Sequence, residues 1–373
     1  MRAVACLIAA AIALAAPPGF ARTERAAPRT DHAAARFWQD VQATCNATAA
    51  KPASALGRAI AQAAIDEFDK FGGHKIDSTG RMFEFGLTEA EHAHEDGHAD
   101  QEHIGDLGWW RVLQYWRALY GTDADGLKNE LEVRGYGDAS ASNDAAKSAA
   151  LLALDFGPLL RAADGVADPA TRETLRESII RSAMIDTPWS AAFISYVIRQ
   201  AGVAADGFQF ANAHRVYIYD AFATSMAEQA HRSDARIYRA CPLESTKPRV
   251  GDMICMQREP ALSRASAGAV RERIRSELAD NAAAHSVQRT HCEVVAHVDT
   301  AAHKVYTIGG NVLNSVTARK LNLRRGMKLS AVQKGHCGGP GEWTLPRPKG
   351  APPSAKESCS FNDKKWFVLL QLR

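Results

Sequence analysis

Ser190 stands near the start of "TPWSAAFISYVIRQAG" (187–202), His291 opens "HCEVVAHV" (291–298), and Asn311 falls in "KVYTIGGNV" (304–312). Hydroxyl, imidazole and carboxamide in that order are the side chains of a nucleophile, its base and the group that orients the base. A serine in the first turn of a helix gains from the helix dipole, and the free N–H groups beside it can hold an oxyanion. An imidazole within hydrogen-bond reach takes the hydroxyl proton and later returns it to a leaving amine. Each residue also has a plainer reading. Ser190 serves equally as a first-turn serine, His291 as a surface histidine and Asn311, after Gly309-Gly310, as a turn residue.

The elements that must position them are legible nearby. Thr187 suits an N-cap and Pro188 the first helical position, which puts Ser190 third in the helix. Trp189, Phe193 and Val197 recur every fourth residue, with Ile194 and Ile198 widening the stripe. "KPRVGDMIC" (247–255) is a Pro-x-x-Gly-Asp turn entering a strand. Period-two alternation in "HCEVVAHV" puts His291 and Glu293 on one strand face and Cys292 on the other.

This order resembles the CHAP and NlpC type of papain-like amidases and peptidases, which act mainly on bacterial cell-wall peptides. There a helix-start cysteine in a "WCaaFv"-like context precedes a "P-x-x-GD" strand, a strand-start histidine and a polar orienting residue on the next strand. "PWSAAFISYVIRQAG", "HCEVVAHV" and "IGGNV" look closer still to an uncharacterised family of exported bacterial proteins in that superfamily. The resemblance covers roughly residues 185–320. It implies catalytic roles for Ser190, His291 and Asn311; Trp189, Asp252 and His214 are the candidate substrate-binding residues beside them. It implies no metal or cofactor, and a peptidoglycan or other envelope-peptide substrate. Two departures stand out. Serine replaces the family's cysteine, and the insertion before His291 is longer than the family usually carries. A thiol is partly ionised near neutral pH, whereas a hydroxyl must be deprotonated during attack. A relative that kept the groove but lost the thiol would bind such peptides without cutting them.

Other residues invite chemistry less directly. His214 in "FANAHRVYIYDAF" either reaches the site from the next helix or is a polar helix-face residue. "EAEHAHEDGHADQEH" (89–103) carries His92, His94, His98 and His103 among acids, in a spacing that matches no tight metal motif. Several imidazoles there would charge together in mild acid. Trp109, Trp110 and Trp116 repeat at helical spacing, which favours core packing over a glycan platform.

The N-terminal "MRAVACLIAAAIALAAPPGFA" (1–21) reads as a secretory signal: one Arg, a short apolar run and a small-x-small end. The chain is therefore expected in the periplasm or outside the cell. No later stretch is apolar enough to span a membrane. A net charge of +3 with both signs interspersed gives no reason to invoke nucleic acid. Beyond Cys6 in the leader, six cysteines remain, at 45, 241, 255, 292, 337 and 359. In an exported protein they allow disulfides. Cys337 and Cys359 flank a Gly/Pro-rich loop that a bridge would close; the other four stay unassigned.

Helical patterns run from His32 to about Phe71, over 107–121, 144–162, 169–184 and 212–230, and in the 263–285 insertion. Strand-like segments follow at 250–257, 292–298, 304–310 and 365–372. Helices first and an antiparallel sheet later predict an α+β fold. We divide it into a signal peptide (1–21), a helical region with the histidine-rich loop (22–175) and a papain-like domain (176–373).

Overall fold

A computed structural model of the chain describes residues 32–90, 107–121, 127, 130–136, 151–330, 333 and 360–373. The leader, the four histidines of the 89–103 tract and the Cys337–Cys359 pair lie outside these residues. The class is α+β.

The long N-terminal helical pattern divides in two, α1 (His32–Ala49) and α2 (Ala55–Lys70). Pro52 lies in the break, and Ser54 caps α2 by accepting the Gly57 N–H at 3.0 Å. Gly72, at φ +54°, ends α2 as its left-handed geometry allows. Two short strands follow, β1 (His74–Ile76) and β2 (Met82–Glu84), then α3 (Gly108–Tyr120). A hairpin of β3 (Glu132–Tyr136) and β4 (Leu151–Asp155) comes next. Of the expected helix over 144–162, residues 144–150 lie outside the described residues, and the rest is a strand before it is a helix, α4 (Phe156–Asp164). Short apolar runs such as 151–154 fit either period, and pairing with β3 decides for strand.

Then come α5 (Pro169–Asp186), α6 (Ser190–Gln200), α7 (His214–Gln229), β5 (Tyr238–Pro242), β6 (Met253–Gln257) and α8 (Ala267–Ala279). The chain ends in β7 (Thr290–Asp299), β8 (Lys304–Val312), β9 (Ser315–Arg324), β10 (Lys328–Leu329) and β11 (Lys365–Leu372). The main sheet runs β2-β1-β9-β8-β7-β6-β11-β5, with β10 pairing β9. It is antiparallel except where β1 lies parallel to β9, with His74 opposite Thr317. The expectation of a wholly antiparallel sheet is corrected by that one pair. It joins the N-terminal region to the sheet through segments far apart in sequence.

One sheet face carries the larger core. Cys255, Cys292, Val294, Ile308 and Val368 meet Ile60 of α2 and Phe193, Ile194 and Val197 of α6 there. Each fully buried aliphatic or aromatic side chain of α6 contributes about 1.5–3 kcal/mol. The opposite face packs Ile254, Val295, Leu321 and Leu369 against Val41 and Cys45 of α1. Disulfides link Cys45 to Cys241 and Cys255 to Cys292, the four cysteines whose pairing the sequence leaves open. The first ties α1 to β5; the second joins directly opposed residues of β6 and β7. Among the described residues, no helix is long and apolar enough to cross a membrane.

Candidate active site

Ser190 is the first residue of α6, two positions earlier in the helix than the capping pattern predicts. Thr187 instead ends α5, and its hydroxyl accepts the Glu132 N–H at 3.0 Å. Trp189 takes the N-cap position without a side-chain cap bond. The first intrahelical bond is Phe193 N–H to Trp189 C=O, at 3.0 Å. The N–H groups of Ser190, Ala191 and Ala192 therefore precede the ladder at the positive end of the helix, beside the hydroxyl.

The partner of that hydroxyl is His214, the first residue of α7: Ser190 Oγ lies 2.7 Å from His214 Nε2. The ring of His214 is 4% exposed. Its Nδ1 receives the backbone N–H of Cys292 at 3.2 Å and also contacts the Tyr217 hydroxyl. An amide N–H can only donate, so Nδ1 presents its lone pair and the proton of the neutral ring sits on Nε2. His214 thus donates to Ser190. Burial, then the neighbouring His291 and Arg258, push its pKa well below the ordinary histidine value. The resting ring is neutral.

His291 does not hydrogen-bond to Ser190. Its ring packs edge-on against His214, with centroids 4.8 Å apart. Its Nε2 lies 3.6 Å from Glu293 Oε1, beyond hydrogen-bond distance, and is buried without a hydrogen-bond partner. Such an orphan costs about 1–3 kcal/mol and marks a functional candidate. Burial lowers the His291 pKa, and Glu293 opposes that shift.

Behind His291, Glu293 is wholly buried and clamped. Arg319 Nε reaches its two oxygens at 3.0 and 3.1 Å, and Thr307 Oγ1 donates at 2.5 Å. Burial alone would raise the Glu293 pKa, but Arg319, His291 and Thr307 bring it down to about 2. Arg319 Nη1 also donates to Phe361 C=O at 2.6 Å and to Asn362 Oδ1 at 3.1 Å. The pair therefore ties β7 to β9 and to the C-terminal segment.

The glycines before Asn311 have a packing reason. A Cβ on Gly309 would lie 2.8 Å from Glu293 Cγ and 3.1 Å from His291 Nε2; one on Gly310 would lie 2.5 Å from Phe193 Cβ. Their bareness lets β8 approach both α6 and His291. Asn311 itself has φ +52°, at the irregularity where β8 and β9 change register between Gly309 and Val312. It makes no hydrogen bond to His214 or His291.

The other candidate substrate-binding residues are enclosed. The Trp189 ring is fully buried and stacks on Phe71, with centroids 5.9 Å apart. Asp252 is also fully buried. Its carboxylate accepts the Arg249 N–H at 2.8 Å and the Leu372 N–H at 2.9 Å, which closes the turn before β6 and fixes the end of β11. Burial pushes its pKa up to about 7, against the pull of Arg249 and these N–H groups. Among the described residues, no group of three or more His, Cys, Asp and Glu is placed to hold a metal.

Sequence reasoning set His214 at the edge of the site and missed Glu293, Arg319 and Tyr217 as its frame. The alternation of β7 already aligned Glu293 with His291. Only the pairing of β8 with β9 brings Arg319 opposite Thr307 and into reach of the carboxylate.

These groups set a pH dependence. The native values of His214 and His291 lie below the ordinary 6.5, so their stabilising contribution is present above 6.5 and is lost as the pH falls below it. Asp252 has the opposite sign. Its native value of about 7 lies above the ordinary 3.8, so its contribution is present below 3.8 and is lost as the pH rises toward 7. Each group contributes at most about 1.4 kcal/mol per pH unit. On going from pH 6.5 to 5.5 the two histidines therefore lose stability while Asp252 gains it, so Asp252→Asn, which removes the opposing group, should be less stable at the lower pH. Urea unfolding of that variant at the two pH values checks this, and stability that rises on acidification would contradict it.

Residues 103–372 match the family described as "Uncharacterized protein conserved in bacteria (DUF2272)", and the chain belongs to that family. No curated protein and no solved structure matches it significantly.

Proposed function

We propose that this family member is an exported, papain-like hydrolase of the CHAP/NlpC type. In this reading it cleaves amide bonds in peptidoglycan stem peptides or a related cell-envelope substrate, with Ser190 as nucleophile. His214 takes the place first given to His291 as the group that touches the hydroxyl. His291, backed by Glu293, packs edge-on against His214 and holds that ring in place; Asn311 belongs to the turn that brings β8 close. The observation that carries the reading is the Ser190–His214 contact at 2.7 Å, beside the unladdered N–H groups of a helix start. The signal-like leader and the two disulfides fit a periplasmic or secreted protein.

One observation favours a second reading, a groove that binds envelope peptides without cutting them. To accept the Ser190 proton, His214 must free its Nε2 lone pair, which turns Nδ1–H against the Cys292 N–H. Leaving that donor unpaired costs about 1–3 kcal/mol, roughly a 5- to 150-fold loss of rate. That slows acyl transfer without abolishing it, so the hydrolase reading stands first. Incubating the mature protein with purified sacculi and weighing the released fragments tests it. Fragments absent with Ser190→Ala are expected; tight binding with no release would transfer the assignment to the groove.

A further inference from the structure

Away from Ser190, α3 and α6 border a shallow cavity of about 490 Å³, open to solvent, whose charged lining is entirely arginine. Arg111 is already neutralised: its Nη2 lies 2.6 Å and its Nε 3.2 Å from the Glu67 carboxylate. Burial would raise the Glu67 pKa, but Arg111 and its other partners hold it below the ordinary value. Arg111 also donates to Tyr196 at 3.2 Å, which fixes that ring at the cavity wall.

Arg117 and Arg199 are different. Neither has an acidic partner among the described residues. Arg117 stacks over Trp110, its guanidinium carbon 5.0 Å from the ring centroid, and Arg199 over Phe210 at 4.3 Å. Arginines on aromatic rings at a surface are commonly solvated charges. Arg117 is set apart by its Nε, which is buried with no hydrogen-bond acceptor where a solvated guanidinium keeps its Nε wet; Arg199 is exposed.

We propose that this cavity is a binding site for a carboxylate-bearing organic ligand, held by Arg117 and Arg199 with its body against Trp110 and Tyr196. The planar guanidinium fork matches the two coplanar oxygens of a carboxylate. The volume exceeds what a bare ion fills and suits a small organic molecule. α3 lines the cavity along its length, from Trp110 to Ala118, and α6 with its C-terminal end, where carbonyl dipoles worth about half a charge oppose an anion. Two full guanidinium charges outweigh them. The site is independent of the chemistry at Ser190.

The test is a ligand-observed NMR titration of the mature chain with acetyl-alanyl-alanine, its C-terminal amide and inorganic phosphate. Arg117→Gln, Arg199→Gln and the double variant are compared, with folding checked by circular dichroism. Millimolar binding of the free acid but not of the amide is expected. Each single variant should weaken it about ten-fold or more. No binding of the acid, equal binding of acid and amide, binding of phosphate alone, or affinity unchanged in the folded double variant would overturn the proposal.

Discussion

Arg319→Ala should lower the free energy of unfolding by about 3–5 kcal/mol, because it leaves the Glu293 carboxylate buried without its counter-ion. Both side chains are almost wholly enclosed, at 2% and 0% exposure, so water cannot replace the lost guanidinium. The same change frees Phe361 C=O and Asn362 and loosens the segment leading into β11. Glu293→Gln should cost less, since an amide keeps the shape without a buried charge. The Glu293 contribution also has a defined pH window. The native value of about 2 lies below the ordinary 4.5, so its stabilisation is complete above 4.5 and is lost as the pH falls toward 2. Chemical denaturation of wild type and Arg319→Ala at neutral pH measures the main effect. A loss under about 1 kcal/mol would show that the pair stabilises nothing its parts do not.

The second large effect concerns the nucleophile. Ser190→Ala should reduce amide cleavage at least about 100-fold, to whatever binding and the helix start supply without a hydroxyl. Ser190→Cys should raise cleavage. A thiolate accepts the Nε2–H that His214 already presents, while Nδ1 keeps the Cys292 N–H. The tautomer that hinders a serine is thus the one a thiolate wants: the thiol proton leaves to solvent before attack, and a solvent water protonates the leaving amine, since the neutral imidazole keeps its Nε2–H. The gain should be on the order of the 5- to 150-fold that the tautomer change costs. Initial rates on one peptide amide across the three proteins decide it. A rate that falls in Ser190→Cys would mean that the oxyanion donors are set for the shorter C–O bond.

The α+β class was legible because β6, β7, β8 and β11 are runs of Val, Ile and aromatics bounded by turn residues. Strands β1 and β3 escaped because three to five residues carry little periodicity, and each exists only by pairing. β1 finds its second neighbour in β9, more than two hundred residues later. The start of α6 was misplaced by two residues because Thr187, a good capping residue, is occupied by Glu132 of β3. At the site, Ser190 and the His291–Glu293 face could be read from local pattern. The Ser190–His214 contact could not, since it depends on how α7 docks beside the opening of β7. The glycines before Asn311 looked like turn formers, and their actual constraint, the approach of Phe193 and Glu293, is tertiary. Disulfide partners were open for the same reason: Cys45 and Cys241 meet only once α1 lies across the sheet.

The central claim is that Ser190 is a nucleophile made reactive by its place at the start of α6 beside His214. Intact-mass analysis after exposure to a fluorophosphonate, followed by peptide mapping, tests it most directly. The account predicts one adduct per chain, on Ser190, absent from Ser190→Ala and slower to form in His214→Gln. An unmodified wild-type protein, or an adduct that survives Ser190→Ala, would contradict it.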